Sequence, residues 1–218
     1  MTDTENVIAR QPRGIRVSAK IISYIFHPLF VPAYIFLWMY RRFPYEFTNL
    51  YSRDLHMRVL GLFMTTAFFP AFTVFLLWKL KFIKGIHLRT QKERIIPYIA
   101  VMIYYWWMWY LSRSFTDQAS ALKFFYFGIF IAVIPALIWN NFVKVSMHAM
   151  GAAGAVTAII LTCLLYQTTY GLDIAAATIL AGIICTARMA LSEHSIFEIN
   201  SGIVIGAACQ VVAYWLMM

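Results

Sequence analysis

The chain has 218 residues, 62% of them apolar and only 12% charged, where soluble domains carry roughly 45–50% and 25%. With a mean hydropathy of +0.71 and three cysteines, this composition excludes a water-soluble globule, a disordered tail, a coiled coil and a secreted disulfide scaffold. Lysine and arginine outnumber aspartate and glutamate 18 to 9; in a membrane chain that excess points to anionic lipid headgroups or a phosphate site, not to nucleic acid.

A helix crosses the hydrocarbon core with about 20 apolar residues. Residues 1–19 are polar and basic and are expected to form a mobile segment, leaving 20–218 as one transmembrane domain. Uncharged runs follow at Ile21–Tyr40, Val59–Trp78, Ile95–Ser112, Phe124–Val143, Ala149–Leu172 and Ile199–Met218. A seventh, Ile174–Ala187, is shorter and is bracketed by Asp173 and Arg188; it spans if it borrows residues from the turn at Thr168–Gly171 and Arg188 reaches the interface. The runs are too long and too continuous for a β-barrel. They predict an all-α, polytopic transmembrane helical bundle of six or seven spans, and a bacterial inner membrane is the expected location. His27, Pro28 and Pro32 mark the first helix as kinked or partly re-entrant. Trp106, Trp107 and Trp109 in the third run are expected to form a lipid-facing or interfacial aromatic belt.

Polar residues near membrane ends carry the information in such a chain, because each is costly to place. If seven segments cross, three polar clusters fall on one side. The first, Lys84 to Tyr98, holds His87, Arg89, Lys92 and Arg94 with Glu93 as its only acid; alone it reads as an ordinary basic loop. The second, Asn140 to Gly154, places Ser146 and His148 where a helix begins. Such a helix start offers unpaired N–H groups and a positive dipole end to an anion. The third, Ala187 to Gly202, holds Arg188, His194 and Glu198. The last two stand four residues apart, so on a helix they share a face. A carboxylate on one imidazole nitrogen fixes the tautomer and leaves the other nitrogen's lone pair available for attack. Arg188 would lie on another face of a continuous helix and approaches His194 only if that helix ends nearby. Cys163, Cys185 and Cys209 fall inside apolar runs and read as small core residues.

Together and in this order, the clusters resemble the signatures of the type-2 phosphatidic acid phosphatase superfamily of membrane lipid phosphatases: Lys-x6-Arg-Pro, Pro-Ser-Gly-His and Ser-Arg-x5-His-x3-Asp. The third matches as Ala187-Arg188-x5-His194-x3-Glu198 and the second as Val145-Ser146-Met147-His148. For the first, Arg94 stands for the arginine, with His87 seven residues earlier and the proline displaced to Pro97. The resemblance implies that His194 attacks phosphorus to form a phosphohistidine and that Glu198 orients it. His148 would protonate the leaving oxygen and then activate water. Arg188, Arg94, Arg89, Lys92 and Ser146 would hold the phosphate oxygens, in the preorganised cradle where phosphoryl transfer gains most of its rate. No metal or other cofactor is implied. The implied substrate is a lipid phosphate or a polyprenyl pyrophosphate, with membrane lipids as the surrounding partners. Two alternatives stand beside this reading: a non-catalytic protein of the same architecture, and a transporter or flippase of anionic lipids. The transporter requires polar groups at mid-membrane, where the apolar runs hold only His27, Asn140, Asn141, Gln167 and Gln210.

Overall fold

The computed structural model describes residues 11–48, 52–86, 88, 90–115 and 117–218, and every regular element among them is helical. Helix α1 (Arg13–Ile25) leads through a 3-10 turn (Pro28–Phe30) into α2 (Val31–Arg42) and a second 3-10 turn (Pro44–Phe47). Helices α3 (Ser52–Phe63) and α4 (Phe69–Lys79) are joined by one π-helical turn (Met64–Phe68). Then come α5 (Gln91–Ser114), α6 (Ser120–Trp139), α7 (Met147–Leu165), α8 (Gly171–Ala190) and α9 (Ile196–Met217). Six stretches are long and apolar enough to cross a membrane: Arg13–Arg42, Arg53–Lys79, Ser120–Trp139, Met147–Leu165, Gly171–Ala190 and Ile196–Met217. The chain is an integral, multi-pass membrane protein built as a helical bundle.

All seven expected runs are helical, and the count of six or seven turns on α5. Its 24 residues extend about 36 Å at 1.5 Å per residue, but the tyrosines and tryptophans that crowd its uncharged part, residues 95–112, lower its apolarity. It lies antiparallel to α6: Asn140, just past the end of α6, donates from Nδ2 to the Gln91 carbonyl at 2.9 Å. Trp106, Trp107 and Tyr110 are exposed and stack on one another along its outer surface. Trp109 turns inward onto Phe127 and Phe130.

The amino-terminal boundary is corrected. Helix α1 starts at Arg13, inside the stretch expected to be mobile. Arg13, Arg16 and Lys20 recur every three or four residues with apolar residues between them, so residues 13–20 are part of an amphipathic helix. The expected kink is present: α1 stops at Ile25, and Pro28 and Pro32, which lack a backbone donor, open the 3-10 turn and α2.

Helix α7 is central. It packs against α9 backbone to backbone, because Gly202 and Gly206 leave no side chain between them. A Cβ at Gly202 would lie 2.6 Å from the Ser146 carbonyl oxygen, and one at Gly206 would lie 2.2 Å from that of Met150. Deeper in the bundle, fully buried Gln210 of α9 donates to the Phe125 carbonyl at 3.3 Å and fills the space above Gly128 of α6. At the end of the bundle where α8 begins, Asp173 accepts from Arg42 Nε and Nη2, each at 2.6 Å, and from Trp38 Nε1 at 2.8 Å. That pairing explains why α8 takes Asp173 into its first turn: the carboxylate sits at a helix amino terminus and meets a cation.

Candidate active site

Four helix ends meet at the opposite end of the bundle: the starts of α5, α7 and α9 and the end of α8. Each is shaped by local chain chemistry. Helix α8 ends in a Schellman motif, with Ser192 in the left-handed region at φ 52°. The Ser192 amide donates to Met189 O at 2.8 Å, and the Glu193 amide donates back to Arg188 O at 3.2 Å. This reversal brings His194 back toward Arg188, which a continuous helix would not allow.

Helix α9 begins with Ser195 as its N-cap in a reciprocal capping box. Ser195 Oγ accepts from the Glu198 amide at 3.3 Å, and Glu198 Oε2 accepts from the Ser195 amide at 3.0 Å. His194 therefore precedes the helix instead of sharing its face with Glu198, a correction to the spacing argument. The two still meet, because the carboxylate that folds back to cap the helix also accepts from His194 Nδ1, at 3.0 Å. With Nδ1 donating, Nε2 carries the lone pair.

His194 is 8% exposed. Burial, reinforced by nearby Lys144, Arg94, Arg188 and His148, pushes its imidazole down to about 3. The ring is therefore neutral throughout the physiological range. Lys144 reaches over the same spot, donating to the Glu193 carbonyl at 3.1 Å. Its own burial and the neighbouring Arg94 push its ammonium below the ordinary range. Arg94 is held by two carbonyls, with Nε on Leu88 O at 2.9 Å and Nη1 on Val145 O at 3.2 Å.

Arg188 contacts Ser23 Oγ through Nη1 at 3.2 Å and Glu193 through Nη2 at 3.8 Å. Its Nε is buried with no hydrogen-bond partner among the described residues. An unsatisfied donor on a buried guanidinium is costly unless a ligand completes it. His148, in the first turn of α7, places Nε2 3.0 Å from the Ser23 carbonyl oxygen. Because a carbonyl only accepts, Nε2 bears the proton. The His27 ring stands edge-on to His148 at 5.2 Å between centroids.

The structure thus gathers His194, Glu198, His148, Arg188 and Arg94 of the residues singled out in the sequence. It separates or reassigns two others. Lys92 is two residues from Arg94, about 200° around the helix; it is exposed and lines a shallow recess with Trp78, Lys81 and Lys84. Ser146 is fully buried as the N-cap of α7, with Oγ accepting from the Ala149 amide at 3.4 Å, and its amide donates to Glu198 O at 3.3 Å. It therefore fixes the loop and does not face a ligand. Arg89, like His87, lies outside the described residues. Met147, between Ser146 and His148, packs against the apolar cluster that includes Tyr98, Val133 and Met150.

Sequence reasoning passed over Ser23 as a site residue and weighed His27 as a mark of a kink and as a mid-membrane polar group, not as part of this site. A polar pair four residues apart, ending at a proline-broken turn within an apolar run, was the available signal. Among the described residues, no group of three His, Cys, Asp or Glu side chains is arranged to hold a metal ion. Comparison with protein-family models, with curated proteins and with solved structures finds no match to this chain.

Proposed function

We propose that the protein is a membrane-embedded lipid phosphatase that hydrolyses a phosphomonoester or pyrophosphate of a lipid through a phosphohistidine. The observation that carries this reading is the setting of His194: a neutral imidazole, oriented by Glu198 through Nδ1, among Arg94, Lys144 and Arg188. A buried cationic cluster around an uncharged nucleophile suits an anionic substrate and disfavours a cationic one. Its place at the helix ends, beside the apolar bundle, suits a headgroup phosphate whose tail stays in lipid. The likeness of Arg188-x5-His194-x3-Glu198 and Ser146-x-His148 to the signatures of type-2 phosphatidic acid phosphatases supports the same chemistry.

In this mechanism His194 Nε2 attacks phosphorus and the bond from phosphorus to the lipid oxygen breaks. His148, protonated on both ring nitrogens once the anionic substrate is bound, gives its Nε2 proton to the leaving oxygen and is left neutral with its proton on Nδ1, while Glu198 stabilises the imidazolium character that develops on His194. Water then attacks the phosphohistidine while His148 takes its proton, and inorganic phosphate departs with the His194 lone pair restored. Arg188 and Arg94 neutralise the equatorial oxygens in both steps, with Lys144 alongside.

The test is phosphate release by purified protein across phosphatidic acid, phosphatidylglycerol phosphate and polyprenyl pyrophosphate. Turnover on at least one of them is expected, with loss of activity in a folded His194→Ala variant and persistence in the presence of a chelator. Full turnover by His194→Ala, or loss with chelator and rescue by a divalent ion, would overturn the mechanism.

A further inference from the structure

Helix α1 presents three distinct faces. Ala19 and Ser23, four residues apart, are its buried residues, and its main packing partner is α8. Beside them runs a stripe of Arg13, Arg16 and Lys20. Arg13 and Lys20 are exposed, whereas Arg16 is half-buried, its Nε enclosed with no hydrogen-bond partner among the described residues. Away from the bundle, Ile15, Ile21 and Ile25 are each about half exposed, at 48%, 52% and 51%. A helix with a small packed face, a cationic stripe and an exposed apolar face has the make-up of one that lies in a membrane interface among anionic headgroups.

The same helix closes the site. The Ser23 carbonyl accepts the His148 Nε2 proton at 3.0 Å and the Ser23 hydroxyl accepts from Arg188 at 3.2 Å. Those two donors are the ones a phosphoryl group and its leaving oxygen require, so Ser23 and a bound phosphate compete for one place. Just beyond lies the break at Phe26 to Pro28, where the helical hydrogen-bond ladder is interrupted. Helix α1 is therefore a short arm, packed mainly on α8 and hinged next to the residue that occupies the site.

We propose that α1 binds an anionic lipid surface through Arg13, Arg16 and Lys20, and that this seating withdraws Ser23 from His148 and Arg188 and opens the site. The partner is the membrane surface itself, recognised by its negative charge. The inference rests on the phosphatase reading for its consequence in turnover, but not for the movement of Ser23.

The full-length protein is reconstituted in vesicles of phosphatidylcholine alone or of phosphatidylcholine and phosphatidylglycerol in equal amounts. Two readouts are taken: carbethoxylation of His148 by diethyl pyrocarbonate, resolved by peptide mass spectrometry, and phosphate release from a short-chain phosphatidic acid. Phosphatidylglycerol is expected to raise His148 modification on the order of tenfold, within what three basic side chains drawn to an anionic surface can supply. The R13Q/R16Q/K20Q variant, altered only in residues outside the site, is expected to keep the unstimulated level in both vesicle types. Equal His148 modification in the two vesicle types, or an undiminished response in the triple variant, would overturn the proposal. If phosphate release is absent throughout while His148 modification follows the lipid, the phosphatase reading fails and the α1 proposal stands.

Discussion

The contact between α7 and α9 sets how His148 stands relative to His194, and Gly206→Ala tests it most sharply. A methyl group there would fall 2.2 Å from the Met150 carbonyl oxygen, 3.0 Å from its carbon and 3.1 Å from its Cα. All three atoms are backbone, so no rotamer change relieves the clash. An ordinary carbon–oxygen contact needs about 3.3 Å, so the helices must separate by about 1 Å at a point two residues beyond His148. Overpacking of this kind costs about 1–3 kcal/mol, and a displacement of about 1 Å at reacting groups costs on the order of a hundredfold in rate. Thermal unfolding in detergent and phosphate release should therefore fall together. Gly182→Ala is the control, since a Cβ there meets nothing within 4 Å. If Gly206→Ala unfolds and turns over like the wild type, the glycine contact does not position the histidines.

Three further outcomes follow from single contacts. Glu198→Gln keeps an acceptor for the Ser195 amide but loses the charge beside His194, so turnover should drop about a hundredfold or more with little change in stability. Glu198→Ala should in addition lose about 1 kcal/mol of helix capping, read by thermal unfolding; wild-type turnover in the Gln variant would remove Glu198 from the mechanism. His194 is held down to about 3 when folded, against its ordinary value of 6.5, so between those pH values the unfolded chain binds the extra proton. Stability therefore falls as pH drops through that window, by up to about 1.4 kcal/mol per pH unit. In His194→Gln that share of the acid sensitivity should disappear, and an unchanged pH slope would contradict the buried, neutral imidazole. At the far end of the bundle, Asp173→Asn breaks the fork to Arg42 and should lower the thermal midpoint by a few degrees while leaving turnover unchanged; a parallel loss of activity would show that the two ends are coupled.

The bundle was legible because continuous apolar runs of crossing length admit almost no other structure. The helix ends were less so. Residues 13–19 read as a tail because charge dominated the composition, whereas the amphipathic spacing of Arg13, Arg16 and Lys20 was the stronger signal. The meeting of Arg188 with His194 depends on Ser192 adopting a left-handed backbone, which serine does not announce as glycine would. Lys92 and Arg94 looked equivalent within one basic cluster, and only their phase on α5 separates them. Ser23 could not be assigned from its own neighbourhood in the sequence, because its partners His148 and Arg188 lie 125 and 165 residues away.

The glutamate at position 198, where the resembling signature has aspartate, follows from the way α9 starts. In Ser195-x-x-Glu198 the acid stands at the third helical position, and a capping box needs a side chain long enough to reach back to the N-cap amide. Glutamate does so at 3.0 Å while Oε2 still accepts from His194 Nδ1 at 3.0 Å. An aspartate would be one methylene short of meeting both donors from that position. The same carboxylate thus sets the first turn of α9 and the tautomer of the histidine just ahead of it, which ties the orientation of the proposed nucleophile to the folding of the helix. Glu198→Asp should accordingly weaken both contacts at once. A variant that keeps the helix start and the rate unchanged would show that the two roles are separable.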